Sequence, residues 1–247
     1  SKLGKRVAVV EKQASVGGVC IETGTIPSKT FRAAVRRLYV PDHSESGGSH
    51  AGPVRPTMER LMRQVAGVVG RESQVVHESL ARNDIKMFQG AARFVGPNEL
   101  VISGFNGDET LKAKKFLIGV GTRPAESRGV TLDGEIAVTS DSLLNLKRLP
   151  RSVVVVGAGV IGIEYASMFA ALGLKVTVVD KRPRPLEFLD HEIVDELIHQ
   201  LRKVDVTFRC GDGLKSLEIT GGDRKQALLE LESGKFLIAE MVLISTG

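Results

Sequence analysis

The sequence predicts an α/β protein built from two similar units in tandem, and three observations carry that expectation. Leu3-Gly4-Lys5-Arg6-Val7-Ala8-Val9-Val10-Glu11 is matched 169 residues later by Leu172-Gly173-Leu174-Lys175-Val176-Thr177-Val178-Val179-Asp180, and self-similarity of this kind marks a repeated structural unit. A shorter echo pairs Leu117-Ile118-Gly119-Val120-Gly121 with Leu243-Ile244-Ser245-Thr246-Gly247. Short β-branched runs alternate with segments of helical periodicity, the pattern of strands joined through helices into a parallel sheet.

Each long copy reads as a helix-ending Gly, a basic residue, a buried strand and then an acid. After Glu11 comes a glycine-rich loop at residues 15–18, then residues 20–29, and a helix is expected from about residue 30 to 38. Residues 42–56 are rich in Ser, Gly, Pro and His and read as an exposed loop. Met58, Leu61, Met62, Val65, Val68, Val69 and Val76 fall at helical spacing, so a long amphipathic helix is expected to run to about Ala81. Short strands are expected at residues 85–88, 92–94, 100–103 and 115–118, with Asn106-Gly107 as a turn signal. They form an antiparallel β-meander inserted in the first unit. Leu149-Pro150 is the expected domain boundary, dividing the chain into residues 1–149 and 150–247. Beyond it, residues 191–201 read as a helix, and strands are expected near 206–208, 227–231 and 236–244.

The second unit carries the sharpest motif. A β-branched strand at residues 152–156 leads directly into Gly157-Ala158-Gly159-Val160-Ile161-Gly162, followed by a helix with Tyr165, Met168, Phe169 and Leu172 at apolar spacing. The next strand ends at Asp180, 23 residues after the first glycine. This is G-x-G-x-x-G in a strand–loop–helix context with an acid at the following strand end. The first Gly makes the tight turn, the second admits a pyrophosphate close to backbone, and the third lets helix and strand pack. Gly157, Gly159, Val160, Ile161 and Gly162 are therefore candidates to hold the phosphates of a dinucleotide on the helix N-terminus. The fold class expected is α/β with two Rossmann-like dinucleotide-binding domains. The same offset places the first unit's glycine loop ahead of residue 1, and the last strand stops at Gly247. The chain is thus expected to be an interior piece of a longer protein, with both domains truncated.

Composition narrows the function classes. The net charge is +5, with 42% hydrophobic and 26% charged residues, an ordinary globular balance that excludes a disordered tail or a fibre. Aromatics are only 4% and the basic residues are dispersed, so no stacking platform or basic stripe argues for nucleic acid. No apolar run approaches the roughly 20 residues of a membrane helix. Cys20 and Cys210 lie too far apart in sequence to suggest a disulfide framework, which fits a reducing, cytoplasmic setting. The five histidines show no metal-ligand spacing, and no metal site is expected.

Gly17-Gly18-Val19-Cys20-Ile21-Glu22-Thr23-Gly24-Thr25-Ile26-Pro27-Ser28-Lys29 resembles the redox-active loop of the flavoprotein disulfide reductases. The resemblance continues through Gln89 to Val95, Gly121-Thr122-Arg123-Pro124, Gly157 to Ser167 and Phe188-Leu189-Asp190, so it covers nearly the whole chain. One departure matters: the family's second loop cysteine is replaced by Thr25. Dithiol–disulfide exchange needs a second thiolate, and a threonine hydroxyl does not supply one. Hydride exchange between nicotinamide and flavin requires no cysteine. The resemblance therefore implies the branch of that family that carries hydride from NADPH through FAD to NAD⁺. The competing readings are a disulfide-reductase-like flavoprotein with another acceptor, and a redox-silent nucleotide-binding module.

The same resemblance implies residue roles. Glu11 would bind the adenosine ribose of FAD, and Gly17, Gly18 and Cys20 would line the flavin. Gly90 and Ala92 would approach its adenine, and Gly121, Thr122 and Gly247 would sit at cofactor crevices. Lys29 would approach the flavin and pair with Glu164; these two, with Cys20 and Thr25, are the candidate catalytic residues. Lys29 also reads as a surface lysine at a helix start, Glu164 as an acid complementing a helix dipole, and Cys20 as a small packing residue. Asp180 suits the ribose 2′-hydroxyl of NAD, whereas Lys181, Arg182 and Arg184 offer charge for the 2′-phosphate of NADP, or form a surface cluster. NAD and NADP are expected as substrates. The longer protein is expected to be a homo-oligomer through a C-terminal domain, and this chain alone to retain FAD weakly or not at all and to be inactive.

Overall fold

The computed structural model describes residues 3–38, 57–105, 107–122, 130–222 and 224–246. Along the chain run β1 (Ala8–Glu11), α1 (Gly18–Glu22), α2 (Thr25–Leu38), α3 (Met58–Arg82), β2 (Lys86–Gln89), β3 (Ala91–Gly96), β4 (Glu99–Gly104) and β5 (Gly107–Lys112). Next come β6 (Ala137–Thr139), a 3-10 turn (Ser142–Asn145), β7 (Ser152–Val156), α4 (Val160–Ala171), β8 (Lys175–Asp180) and α5 (His191–Lys203). Strands β9 (Val206–Cys210), β10 (Leu214–Thr220), β11 (Gln226–Leu231), β12 (Phe236–Ala239) and β13 (Met241–Ile244) follow. The chain gathers into two compact units, Ser1–Pro27 with Ala66–Arg123, and Ser28–Val65 with Pro124–Gly247. Their limits fall inside α2, inside α3 and between residues 123 and 124, and none falls at Leu149-Pro150. Residues 28–38, the start of α3, and β6 all count with the second unit.

In the first unit, β1 and β2 pair in parallel, with Glu11 opposite Gln89. Strands β3, β4 and β5 form an antiparallel meander, as the Asn106-Gly107 signal suggests, although Asn106 itself lies outside the described residues. Phe88, Leu100 and Ile102 form its core, with Val10, Leu111 and Phe116 packed against them. Three expectations are corrected. Strand β1 forms where the repeat predicts, but none of its residues is fully buried, because among the described residues it has β2 as its one neighbour. Residues 115–118 run without a ladder: Phe116 turns in against Phe94, while Leu117 and Ile118 are exposed. Residues 20–29 are helical at both ends, with α2 starting at Thr25. Pro27 is tolerated there because the first-turn N–H groups have no intrahelical partner. The loop expected at residues 42–56 lies outside the described residues.

In the second unit, five parallel strands take the order β6-β13-β7-β8-β9. Valines 153–156 and 176, 178 and 179 are buried, as expected for strands covered on both faces. Helix α4 is apolar all round and buries Ile163, Tyr165, Ala166, Met168, Phe169 and Ala170. Phe31 of α2 and Phe169 flank the Tyr165 ring at centroid distances of 6.4 and 6.1 Å. On the sheet, Val154, Val156, Val179, Val242 and Ile244 share one core with Ala227, Leu229 and Leu231 of the antiparallel meander β10-β11-β12. The single strand expected at residues 236–244 is two strands divided at Glu240. There the chain leaves the meander for the parallel sheet, and the Glu240 carboxylate accepts the Arg151 N–H at 3.0 Å. Chain order reverses between β7 and β13. Ligands of open α/β sheets bind in the crevice at such a switch point, outside the carboxyl ends of the strands.

Candidate functional site

The switch point is shaped by three glycines with three different reasons. Gly157 follows β7 at φ 106°, donates its N–H to Val179 O at 2.8 Å, and has no room for a side chain: a Cβ would lie 2.5 Å from Ser245 O. Gly162, one turn into α4, would place a Cβ 1.9 Å from Gly157 O, so only glycine lets helix and strand meet. Gly159, the residue capping α4, has an ordinary φ of −78°, and nothing among the described residues stands within 4 Å of where its Cβ would be. Its outer side is open, and the first-turn residues Val160 and Ile161 are 59% and 50% exposed. A tight turn, a close-packed helix and an open cap form a cradle that fits a pyrophosphate on helix N–H groups.

Asp180 stands at the end of β8, as the spacing predicts, but it is not free. Its side chain is 5% exposed. One oxygen accepts the Arg182 backbone N–H at 2.8 Å and the Arg182 Nε at 2.9 Å. The other accepts Ala158 N–H and Arg182 Nη2, both at 2.6 Å. Burial pushes the Asp180 carboxyl up, and the Arg182 guanidinium with the Ala158 and Arg182 amides more than offsets it, holding the group below the usual carboxylate range. Lys181 is exposed. Arg184 points elsewhere and pairs with Asp195 of α5. Leu186 is held at φ 49° with its N–H on Ala158 O, an uncommon conformation for a non-glycine residue at the rim of the same loop.

Lys29 on α2 and Glu164 on α4, expected as partners, form an ion pair. Glu164 Oε1 is the acceptor, and a cleft of about 330 Å³ beside it is lined by Arg32, Val160, Ile163, Leu186, Phe188 and Leu197 among others.

The remaining candidates, Gly247 apart, belong to the first unit. Glu11 ends β1; its carboxylate accepts Gln13 N–H and its carbonyl accepts Gly90 N–H at 2.9 Å. Gly90, at φ 154°, would clash with Ser103 O if it carried a Cβ, and Ala92 is exposed. Gly17 caps α1 at φ 125° with no space for a side chain beside Ile21, whereas Gly18 at φ 58° is open. Cys20 is exposed within α1, and Thr25, also exposed, opens α2. Gly121 and Thr122 are exposed, Gly121 at φ 70°. Gly247 lies outside the described residues.

Two features escaped the sequence reading. Ser73 of α3 shares a 2.6 Å hydrogen bond with Ser15 and reaches Val16 O, fixing the loop ahead of Gly17; a lone serine on a helix gives no signal of that. Cys210 lies opposite Asp180 in the β8–β9 register, and burial first, then the Asp180 charge, push its thiol up. Among the described residues no cluster of His, Cys, Asp and Glu suits a metal ion, and no helix is long and apolar enough to cross a membrane.

Comparison with known proteins gives this geometry its family. The chain is 44% identical over 250 residues to the soluble pyridine nucleotide transhydrogenase of Mycobacterium tuberculosis, a match covering 100% of this chain and 53% of that protein. It is 36% identical over 248 residues to the soluble pyridine nucleotide transhydrogenase of Chromohalobacter salexigens, again over 100% of this chain and 53% of the relative. The chain thus spans about half the length of the curated relatives it matches. Among solved structures, the HOCl-induced flavoprotein disulfide reductase RclA from Escherichia coli aligns with a TM-score of 0.84 at 27% identity, over 100% of this chain and 52% of that one. LpdA from Mycobacterium tuberculosis aligns with a TM-score of 0.88 at 21% identity, over 99% and 53%, and supports the fold. The family model described as pyridine nucleotide-disulphide oxidoreductase matches residues 1–247, and the chain belongs to that family.

Proposed function

We propose that this chain is part of a flavin-dependent oxidoreductase that moves hydride from NADPH through FAD to NAD⁺, as the names of its curated relatives suggest. The observation that carries this reading is the loop with a single thiol: Cys20 is followed five residues later by Thr25, in a chain whose other unit carries its own glycine cradle. Without a resolving thiol the loop has no route to dithiol exchange, whereas the glycine cradle that would hold a nucleotide is formed. FAD is the flavin expected for such a protein and supplies the hydride acceptor and donor chemistry.

The chain's own residues bind and orient. Residues 1–149 serve the flavin and residues 150–247 the nicotinamide nucleotide, with the functional boundary at Leu149-Pro150. Gly157, Gly159 and Gly162, with the N–H groups of Val160 and Ile161, hold the pyrophosphate. Asp180, Lys181 and Arg182 read the adenosine ribose. Glu11 holds the FAD ribose, Gly90 and Ala92 lie by its adenine, and Gly17, Gly18, Cys20, Gly121 and Thr122 approach the flavin. Lys29, oriented by Glu164, supplies a fixed positive charge where negative charge develops; Gly247 lines a crevice. The test is anaerobic stopped-flow on the FAD-loaded, full-length protein. NADPH is expected to bleach the flavin absorbance and NAD⁺ to restore it. Restoration only by a disulfide substrate, or no flavin signal, overturns the reading.

A further inference from the structure

The carboxylate of Asp180 has about four acceptor positions, and all four are used inside the protein: two by Arg182 side-chain donors, one by the Arg182 amide and one by the Ala158 amide. Arg182 lies on the solvent side of this arrangement, its side chain 38% exposed over a carboxylate that is 5% exposed. A ribose 2′-hydroxyl that is to donate to Asp180 has to displace the guanidinium first. A 2′-phosphate has no such requirement. A guanidinium offers five N–H donors in a fixed fork, and Nε with one Nη2 hydrogen accounts for the two on Asp180. Three donors are left over, and the Nη1–Nη2 edge of a guanidinium is a fork of the kind that phosphate oxygens accept bidentately. With Arg182 in place, Asp180 is also neutralised and no longer repels a phosphate. Arg184 pairs with Asp195 of α5, not with Asp180, so it is not the group that covers the acid.

We propose that Arg182 is a latch on Asp180: latched, the site takes a nucleotide with a 2′-phosphate, and unlatched, it takes one with a 2′-hydroxyl. This deepens the dual-nucleotide reading above and rests on it. The latch differs in sign from a passive phosphate contact. If Arg182 only touched the phosphate, removing it would weaken NADPH and leave NADH unchanged. If it also covers Asp180, removing it weakens NADPH and tightens NADH.

Isothermal titration of the 247-residue chain with NADH, NADPH and 2′,5′-ADP reads this directly, without catalysis. Arg182→Met is expected to weaken NADPH and 2′,5′-ADP by about 10- to 100-fold, the loss of a charge-assisted hydrogen-bonded pair. The same variant is expected to bind NADH about 3- to 10-fold more tightly. Asp180→Asn, which keeps an acceptor for Ala158 N–H, is expected to weaken NADH while NADPH holds or gains. Circular dichroism verifies folding. Should Arg182→Met not fold, Arg182→Lys, which keeps the charge without the fork, is expected to tighten NADH with a smaller loss of NADPH. NADH affinity that is unchanged or weaker in the folded arginine variants overturns the latch while leaving nucleotide binding standing. A wild-type chain that binds neither dinucleotide overturns the nucleotide-binding reading, and the latch with it.

Discussion

Lys29 and Glu164 lie 135 residues apart in sequence and form one ion pair, joining the first turns of α2 to the first turns of α4. The pair is asymmetric: the lysine side chain is 55% exposed and the glutamate 20%. Phe31, two residues beyond Lys29, lies against Tyr165, next to Glu164. The apolar packing therefore fixes the helices, and the ion pair orients a charge on them.

A partly solvated ion pair is worth at most about 1 kcal/mol. Lys29→Met and Glu164→Gln are expected to shift urea unfolding by no more than that, with a double-mutant coupling of about 0.5 kcal/mol. In the FAD-loaded, full-length protein the same substitutions are expected to slow flavin reduction by NADPH at least about 10-fold. A large loss of stability with normal reduction would make the pair a structural strut.

Gly159 and Gly162 separate binding from folding. A methyl group at Gly162 meets Gly157 O at 1.9 Å, and backbone has to move to admit it, so Gly162→Ala is expected to cost about 3 kcal/mol or more, or to prevent folding. Gly159→Ala meets nothing within 4 Å at an ordinary φ. Its thermal midpoint is expected to stay within a few degrees of wild type while NADPH affinity falls about 10-fold or more, because the methyl occupies the approach to the helix cap. Equal losses of stability in the two variants would remove the distinction.

The held-down carboxyl of Asp180 predicts an acid-sensitive increment of stability. Its folded pKa is below the unfolded value of 3.8, so its contribution is full above that value and is lost as pH falls through the folded pKa. Urea unfolding between about pH 5 and pH 2 is expected to show a shallower decline for Asp180→Asn than for wild type. Parallel profiles would mean that Arg182 and the two amides do not hold the acid ionised.

Much of the second unit was legible because its signals are local and strong. Glycine spacing, a β-branched strand and a terminal acid locate β7, α4 and β8 within a residue or two. The departures have physical causes. Strand β10 carries a register shift between Leu214 and Ser216, and a bulge reverses which side chains face inward, so Leu214 and Leu217 break the period of two. Strand β5 is almost wholly exposed and has no apolar face to announce it. Strand β6 is three residues long, set up by the Asp133 carboxylate accepting three successive amides. Spacing located Asp180 but not the guanidinium closed over it, because a side-chain fork has no sequence period.

Tyr165 offers a last separation, between a ring that packs and a hydroxyl that has no partner among the described residues. The residue is 2% exposed, its ring lies between Phe31 and Phe169, and its hydroxyl makes no hydrogen bond among the described residues. Burial, then the charges of Glu164 and Asp141, push its pKa up to about 12. Removing a buried, unpaired polar group is neutral or favourable, whereas deleting an aromatic ring leaves a cavity. Tyr165→Phe is therefore expected to match or exceed wild-type stability by up to about 1 kcal/mol, and Tyr165→Ala to lose about 3–5 kcal/mol. The phenol also sets a pH signature. Because its folded pKa is raised above the unfolded value of 10.0, the stabilisation is complete below pH 10 and is lost as pH rises toward the folded value. That decline should be shallower in Tyr165→Phe. A Phe variant less stable than wild type by about 1 kcal/mol or more would instead place a bound water on the hydroxyl, held in the core between α2 and α4.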